Sequence, residues 1–200
     1  KNELVYFTSS EVDPTERHIY SVTFQGKEKK CLSTESGWHT AKFSNDYSLA
    51  LHSYTTATKP HNYTIKNSSW ETLRIVENND DFTSRNEAFI TSEPRFDKLD
   101  INGTSLNHWM IKPADFDSAK KYPLLMFVYG GPGSQTVKNS FGYSNHYWYQ
   151  MLANKHKVIV ASVDNRGTGA RGAEFKKLTY KQLGKYETED MIGAAKYLGG

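Results

Sequence analysis

Lys121-Tyr122-Pro123-Leu124-Leu125-Met126-Phe127-Val128-Tyr129-Gly130-Gly131-Pro132-Gly133 is the stretch whose reading decides the fold. Residues 124–129 make a continuous apolar run of strand length, the pattern of a strand buried on both faces. Three glycines and a proline then turn the backbone sharply away. The break leaves the Tyr129 phenol at the carboxyl end of its strand, where open α/β sheets build their sites. An un-ionised phenol is a hydrogen-bond donor at neutral pH. By spacing alone the same tyrosine also reads as a core residue capping its strand. Residues 158–163 form a second apolar run. Between the two runs, Tyr147, Trp148, Met151 and Leu152 recur at helical spacing in residues 144–154, and residues 187–198 read as a further amphipathic helix. Strands alternating with helices predict a parallel sheet from Leu124 onward.

Upstream the pattern is different. Residues 3–8, 17–24, 38–43, 47–54, 61–66 and 71–76 read as short strands, rich in aromatic residues and threonine. Turn residues such as Asp13-Pro14, Gln25-Gly26, Ser44-Asn45-Asp46 and Lys59-Pro60 separate them. Their tight, even spacing fits an antiparallel meander, the unit of a sandwich or a propeller blade. Residues 79–94 are polar, include Asn79-Asp80-Asp81 and sustain no period, so they read as a linker. Residues 95–101 and 106–112 then form a hairpin around Asn102-Gly103, a type I′ signal. The fold class is β plus α/β, with a β-rich region over residues 1–78 and an α/β region over residues 95–200.

Composition narrows the function. Among 200 residues, 37% are hydrophobic, enough to bury a core. Lys and Arg number 25 against 22 Asp and Glu, and a net charge of +3 is too small and dispersed for a nucleic-acid footprint. Lys27, Lys29 and Lys30 read as a solvated hairpin tip. Cys31 is the single cysteine, so no internal disulfide or thiolate cluster can form, and it reads as a small buried hydrophobe. No apolar run approaches the roughly 20 residues of a membrane span, and Lys1-Asn2-Glu3 opens no signal-peptide core.

Three patterns resemble sites without meeting the physics of one. Gly167-Thr168-Gly169-Ala170-Arg171-Gly172 has dinucleotide-loop spacing, with Glu187, Glu189 and Asp190 beyond it. Asp164-Asn165-Arg166 intervenes after the strand, however, and an aspartate there would repel a pyrophosphate. The segment reads as a glycine-rich surface loop, and no cofactor is expected. No G-x-S-x-G nucleophile elbow occurs. Gly142-Tyr143-Ser144-Asn145-His146 fails at its last position, and Ser134 lacks the first glycine. The seven histidines include no H-x-x-x-H pair, so no zincin-type metal site is expected. His108 and His146 read as surface or rim residues and His156 as solvated.

Three motifs occur in order: Val128-Tyr129-Gly130-Gly131-Pro132, then Val160-Ala161-Ser162-Val163-Asp164-Asn165-Arg166-Gly167-Thr168-Gly169, then Leu183-Gly184 with Glu187-Thr188-Glu189-Asp190. Together they resemble the prolyl oligopeptidase family of serine peptidases, in its dipeptidyl peptidase IV branch. The resemblance implies that residues up to about Val76 are the last strands of a β-propeller and that the α/β region is the first half of an α/β-hydrolase domain. It implies release of N-terminal dipeptides, with Pro or Ala second, through serine attack and an acyl-enzyme. Tyr129 matches the tyrosine whose hydroxyl receives the oxyanion, on a turn shaped by Gly130, Gly131 and Pro132. Arg166 and Asp190 match positions of a scaffolding pair beside the site. It further implies that the nucleophile, its Asp and its His lie beyond Gly200, so that these residues alone are inactive and expose unpaired edges. No cofactor, a peptide partner, a homodimer and a periplasmic or extracellular location complete the expectation. Two rivals remain. One is a noncatalytic peptide- or glycan-binding module using Trp38, Tyr54 and Trp70, and the other an acyl-aminoacyl peptidase or esterase.

Overall fold

The computed structural model describes residues 3–87, 89, 92–142 and 145–200. Tyr143 and Ser144, in the near-match to a nucleophile elbow, and Lys1 and Asn2 lie outside the described residues. Two compact units are present: unit 1 is Lys1–Arg85 with Lys138–Gly142, and unit 2 is Asn86–Val137 with Tyr143–Gly200.

Unit 1 holds two antiparallel sheets. The first pairs β1 (Leu4–Ser9), β2 (His18–Thr23) and β3 (Lys30–Cys31) in that order. The second is a four-stranded meander of β4 (Trp38–Phe43), β5 (Leu49–Thr55), β6 (Asn62–Asn67) and β7 (Thr72–Glu77). Its turns carry the local chemistry the sequence announced. Asp46 Oδ1 accepts the Ser48 N–H at 3.1 Å, and Asn67 Oδ1 accepts the Ser69 N–H at 3.0 Å and the Glu71 N–H at 2.9 Å. Helix α1 (Asp80–Asn86) occupies part of the stretch read as a linker, with acidic residues in its first turn and Arg85 in its last. Lys138–Gly142 lies within the stretch that sequence assigned to the α/β region, yet it is fastened into unit 1. The Asn139 N–H donates to Thr15 O at 2.8 Å, Asn139 Oδ1 accepts the Ala57 N–H at 2.9 Å, and the Phe141 N–H donates to Thr55 Oγ1 at 3.2 Å.

Strand alternation in unit 1 does not deliver a plain apolar face. His18, Ile19, Tyr20 and Ser21 are all buried, whereas Phe24, just past the end of β2, is 68% exposed. Three buried imidazoles instead cross the sheets. His18 pairs with Glu16 at 3.0 Å, and its ring centroid lies 5.3 Å from that of His39. His39 stacks on His52 at 5.2 Å and on Tyr54 at 4.7 Å. The Glu35 carbonyl can only accept, so His39 Nε2 donates to it at 2.8 Å. In the neutral ring His39 Nδ1 must then accept from His52 Nε2 at 3.0 Å, which leaves His52 Nδ1 to accept from the Thr64 hydroxyl at 3.3 Å. Burial, with His39 and Lys66 nearby, pushes His52 down to about 4, and burial lowers His39 too.

Unit 2 is built on a mixed sheet ordered β10-β11-β9-β8, from β8 (Arg95–Ile101), β9 (Thr104–Ile111), β10 (Leu124–Phe127) and β11 (Ile159–Val163). The β8–β9 hairpin turns at Asn102 (φ 53°) and Gly103 (φ 74°), the two positive angles a type I′ turn requires. β10 and β11 are parallel, as the apolar runs predict, and β11 pairs antiparallel with β9. Helix α2 (His146–His156) covers one face, where Tyr149 and Ala153 pack with Trp109, Ile111 and Val160. Helix α4 (Lys185–Gly199) covers the other, where Ala194 joins Leu99, Ile101, Leu106 and Val163. A Cβ on Gly193 would collide with Ile101, so that glycine sets the approach of α4 to β8. A short helix, α3 (Gly172–Lys177), follows the glycine loop that read as irregular.

β10 stops at Phe127, borders only β11 among the described residues and is partly exposed, so it is not a strand buried on both faces. Helix α2 turns His146, Tyr149, Gln150 and Ala153 inward and leaves Tyr147, Trp148 and Met151 exposed. The inward face is fixed by Gln150, whose Nε2 donates to Ser92 O at 2.6 Å and whose Oε1 accepts the Ser92 N–H at 3.2 Å. His108 and His146 are buried rather than at the rim, and burial lowers both imidazoles. Cys31 is only half-buried, with its thiol donating to Ser33 O at 3.1 Å.

Candidate active site

Past Phe127 the chain leaves the sheet through Val128 and reaches Tyr129, whose side chain is 69% exposed. Gly130 follows in the left-handed region at φ 72°, and Gly133 at φ 73°. The Ser134 N–H closes the turn on Gly131 O at 3.0 Å, and the Ser134 hydroxyl donates to the same carbonyl. That hydroxyl shapes the turn and is not poised as a nucleophile. A second glycine turn lies alongside: the Gly133 N–H donates to Gly167 O at 3.1 Å and the Gly169 N–H to Ser134 O at 2.8 Å. A Cβ on Gly169 would sit 3.0 Å from Gly133 O. The glycine of the apparent dinucleotide loop therefore makes room for its neighbouring turn.

Residues at the end of β11 hold this loop from beneath. The Ser162 hydroxyl donates to Phe127 O at 2.8 Å. Buried Asp164 accepts the Thr136 N–H at 2.7 Å, the Thr136 hydroxyl at 2.9 Å and the Val137 N–H at 3.2 Å. Asn165, fully buried, donates from Nδ2 to Gly130 O at 3.1 Å and to Arg166 O at 2.6 Å. Arg166 in turn grips Asp190 of α4: Nη2 to Oδ1 at 2.7 Å, Nε to Oδ1 at 2.9 Å, and its backbone N–H to Oδ2 at 2.7 Å. Glu189 adds a contact to Nη2 at 3.1 Å, and the guanidinium stacks 4.3 Å from the Tyr186 ring. Asp190 has no exposed surface, and its hydrogen bonds hold the Arg166 guanidinium above its ordinary value.

The structure thus joins the turn of Tyr129, Gly130 and Gly131 to Arg166 and Asp190 through Asn165, beside the direct contacts of Gly133 with Gly167 and Gly169 with Ser134, while Pro132 is exposed. Sequence reasoning missed Asn165 and Asp164 as working parts. Their only signal was position, directly after an apolar strand. Trp38, Tyr54 and Trp70, the aromatic set for a binding module, are engaged internally. Arg17 lies 4.4 Å from the Trp38 ring, the Tyr54 hydroxyl donates to Ser36 O at 3.0 Å, and Trp70 meets the His52 ring edge-on at 5.3 Å. Among the described residues, no group of three or more His, Cys, Asp or Glu side chains could hold a metal ion, and no helix is long and apolar enough to cross a membrane.

Comparison with known proteins bears on the same residues. Residues 1–61 match the dipeptidyl peptidase IV (DPP IV) N-terminal region, and residues 143–199 match the prolyl oligopeptidase family. A probable dipeptidyl-aminopeptidase B from Ajellomyces dermatitidis is 36% identical over 200 residues, covering 98% of this chain and 22% of the relative. One from Arthroderma benhamiae is 35% identical over 203 residues, covering 100% and 22%. The crystal structure of Porphyromonas gingivalis dipeptidyl peptidase 4 superposes with a TM-score of 0.90 at 37% identity, over 98% of this chain and 28% of that one. The chain therefore spans about a fifth of the length of the curated relatives it matches, 22%. The fold is that of β-propeller strands followed by α/β-hydrolase strands and helices, and the resemblance to the prolyl oligopeptidase family in its dipeptidyl peptidase IV branch is shown at both ends of the chain.

Proposed function

We propose, from a chain that matches the dipeptidyl peptidase IV and prolyl oligopeptidase families at its two ends, that it is part of a serine dipeptidyl aminopeptidase in which Tyr129 donates to the oxyanion. One observation carries the reading: the Tyr129 ring is exposed at the carboxyl end of a parallel strand, on a glycine turn whose backbone is hydrogen-bonded from below. Attack on a peptide carbonyl places negative charge on its oxygen. A phenol donor at that point stabilises the tetrahedral intermediate more than the substrate, and such a difference accelerates acyl transfer. The proton remains on the phenol, which needs no base to act. Arg166 and Asp190 belong to the scaffold in this reading, since both are consumed by their mutual contact. A small second residue, Pro or Ala, is the preference the family resemblance supports.

The test is Tyr129→Phe in the full-length enzyme, assayed on a dipeptidyl chromogenic substrate. Loss of one such donor lowers kcat by about 10² to 10³. Thermal stability should stay within about 0.5 kcal/mol of the parent, because the ring is mostly in solvent. An undiminished kcat would remove the assignment.

A further inference from the structure

Asn165 is an odd choice for a filled interior. Its side chain is wholly buried, yet among the described residues Oδ1 has no hydrogen-bond partner. An amide that leaves its own acceptor unpaired is a poor space-filler, because the desolvation of that oxygen is not offset. What the amide supplies is its donor end. Nδ2 reaches Gly130 O at 3.1 Å and Arg166 O at 2.6 Å, so one NH2 group ties the turn after β10 to the turn after β11.

The tied carbonyl belongs to the peptide joining Gly130 to Gly131. A Cβ on Gly131 would lie 3.7 Å from Tyr129 Cε1, so the phenol ring rests beside Gly131. A Cβ on Gly130 would run into Asn165, meeting Oδ1 first and then Cγ at 3.2 Å, so the amide lies directly against the Gly130 backbone. With most of its surface in solvent, the Tyr129 ring has little side-chain packing to fix it and depends on the turn beneath. Arg166, locked to Asp190 of α4, fixes the far end of the clamp.

We propose that Asn165 is a positioning residue for Tyr129: its Nδ2 clamp on Gly130 O sets the peptide plane that holds the phenol hydroxyl in place for the developing oxyanion. The inference rests on the proposed role of Tyr129. A displacement of about 1 Å at a reacting group lowers rate by up to about 10²-fold, which sets the scale of the effect.

The experiment is a double-mutant cycle in the full-length enzyme, with kcat and KM measured for the parent, Tyr129→Phe, Asn165→Ala and the double variant. Asn165→Ala is expected to lower kcat about 10- to 10²-fold with KM unchanged, and to produce no further loss in the Tyr129→Phe background. An equal loss in both backgrounds, or none in the parent, overturns the proposal, since a merely structural asparagine would act whether or not the phenol were present. If Asn165→Ala does not fold, Asn165→Asp is measured in the same pair. It keeps the size and Oδ1 but offers Gly130 O no donor, and the same two outcomes decide. A Tyr129→Phe enzyme with full kcat would instead remove the reading beneath, and is distinguished by that single variant.

Discussion

In unit 1 the side chains withdrawn from water include His18, His39, His52, Thr55 and Thr64, whereas the sheet of unit 2 is closed by Leu106, Trp109, Ile111, Val160 and Val163. Buried polar groups occur in both units, but they are arranged differently. In unit 1 they cross neighbouring strands as a stacked ladder, and the interior itself is titratable. In unit 2, Asp164, Asn165 and Asp190 gather behind the Tyr129 turn, and the sheet strands bury Asn107, His108 and Ser162 beside two apolar clusters. The contrast teaches that polarity is tolerated in the first unit as scaffold and is concentrated in the second where a loop must be held.

The largest expected effect tests the apolar half. Trp109→Ala should destabilise unit 2 by about 3–5 kcal/mol, the range for deleting a fully buried indole. Hydrogen exchange of the β8–β11 amides reads it, and an exchange rate there equal to the parent's would show that the cluster does not close the sheet.

Next in size is acid sensitivity, which burial of His108 and His146 gives unit 2 as well but which is larger in unit 1. Folded His52 titrates at about 4 against an ordinary 6.5, so between those values the unfolded chain binds the additional proton and the folded one does not. Stability is fully present above about 6.5 and declines as pH falls toward 4, by on the order of 2 kcal/mol after allowance for solvent screening. The charged groups facing the ladder act both ways: Lys66 helps to lower His52, whereas the Glu35 carboxylate opposes the lowering of His52 and His39 and Glu16 opposes that of His39. Exchange of β4–β6 amides measured at pH 7 and pH 4.5 should accelerate relative to β9–β11 amides. Equal acceleration in both units would erase the distinction. The smallest effect belongs to Phe24→Ser. Its ring is exposed, so the denaturation midpoint should shift by no more than about 0.5 kcal/mol, and a larger shift would make it a hidden part of the unit 1 core.

Legibility followed the range of the forces involved. Strand positions and the Asn102-Gly103 hairpin came through because alternation and turn chemistry are local. The buried face of α2 did not, because aromatic residues lie on several sides of that helix and the choice is made by Gln150 reaching Ser92, 58 positions away. His108 and His146 looked solvated for the same reason, since nothing adjacent in sequence covers them. Tyr129 was legible as a strand-end phenol, but Asn165 was not, since the partner that gives it meaning is 35 positions upstream.

The order of residues by itself determined the change from a strand-rich region to an α/β region, the parallel sense of the two apolar strands, and the sharp exit at Gly130, because each depends on period or on backbone freedom within a few residues. Only the tertiary structure decided that Lys138–Gly142 is fastened into unit 1, that three histidines share one buried stack, and that Arg166, Asn165 and Gly130 form a continuous clamp. Those features rest on hydrogen bonds and ring contacts between residues distant along the chain, whose strength appears only when water is excluded from around them.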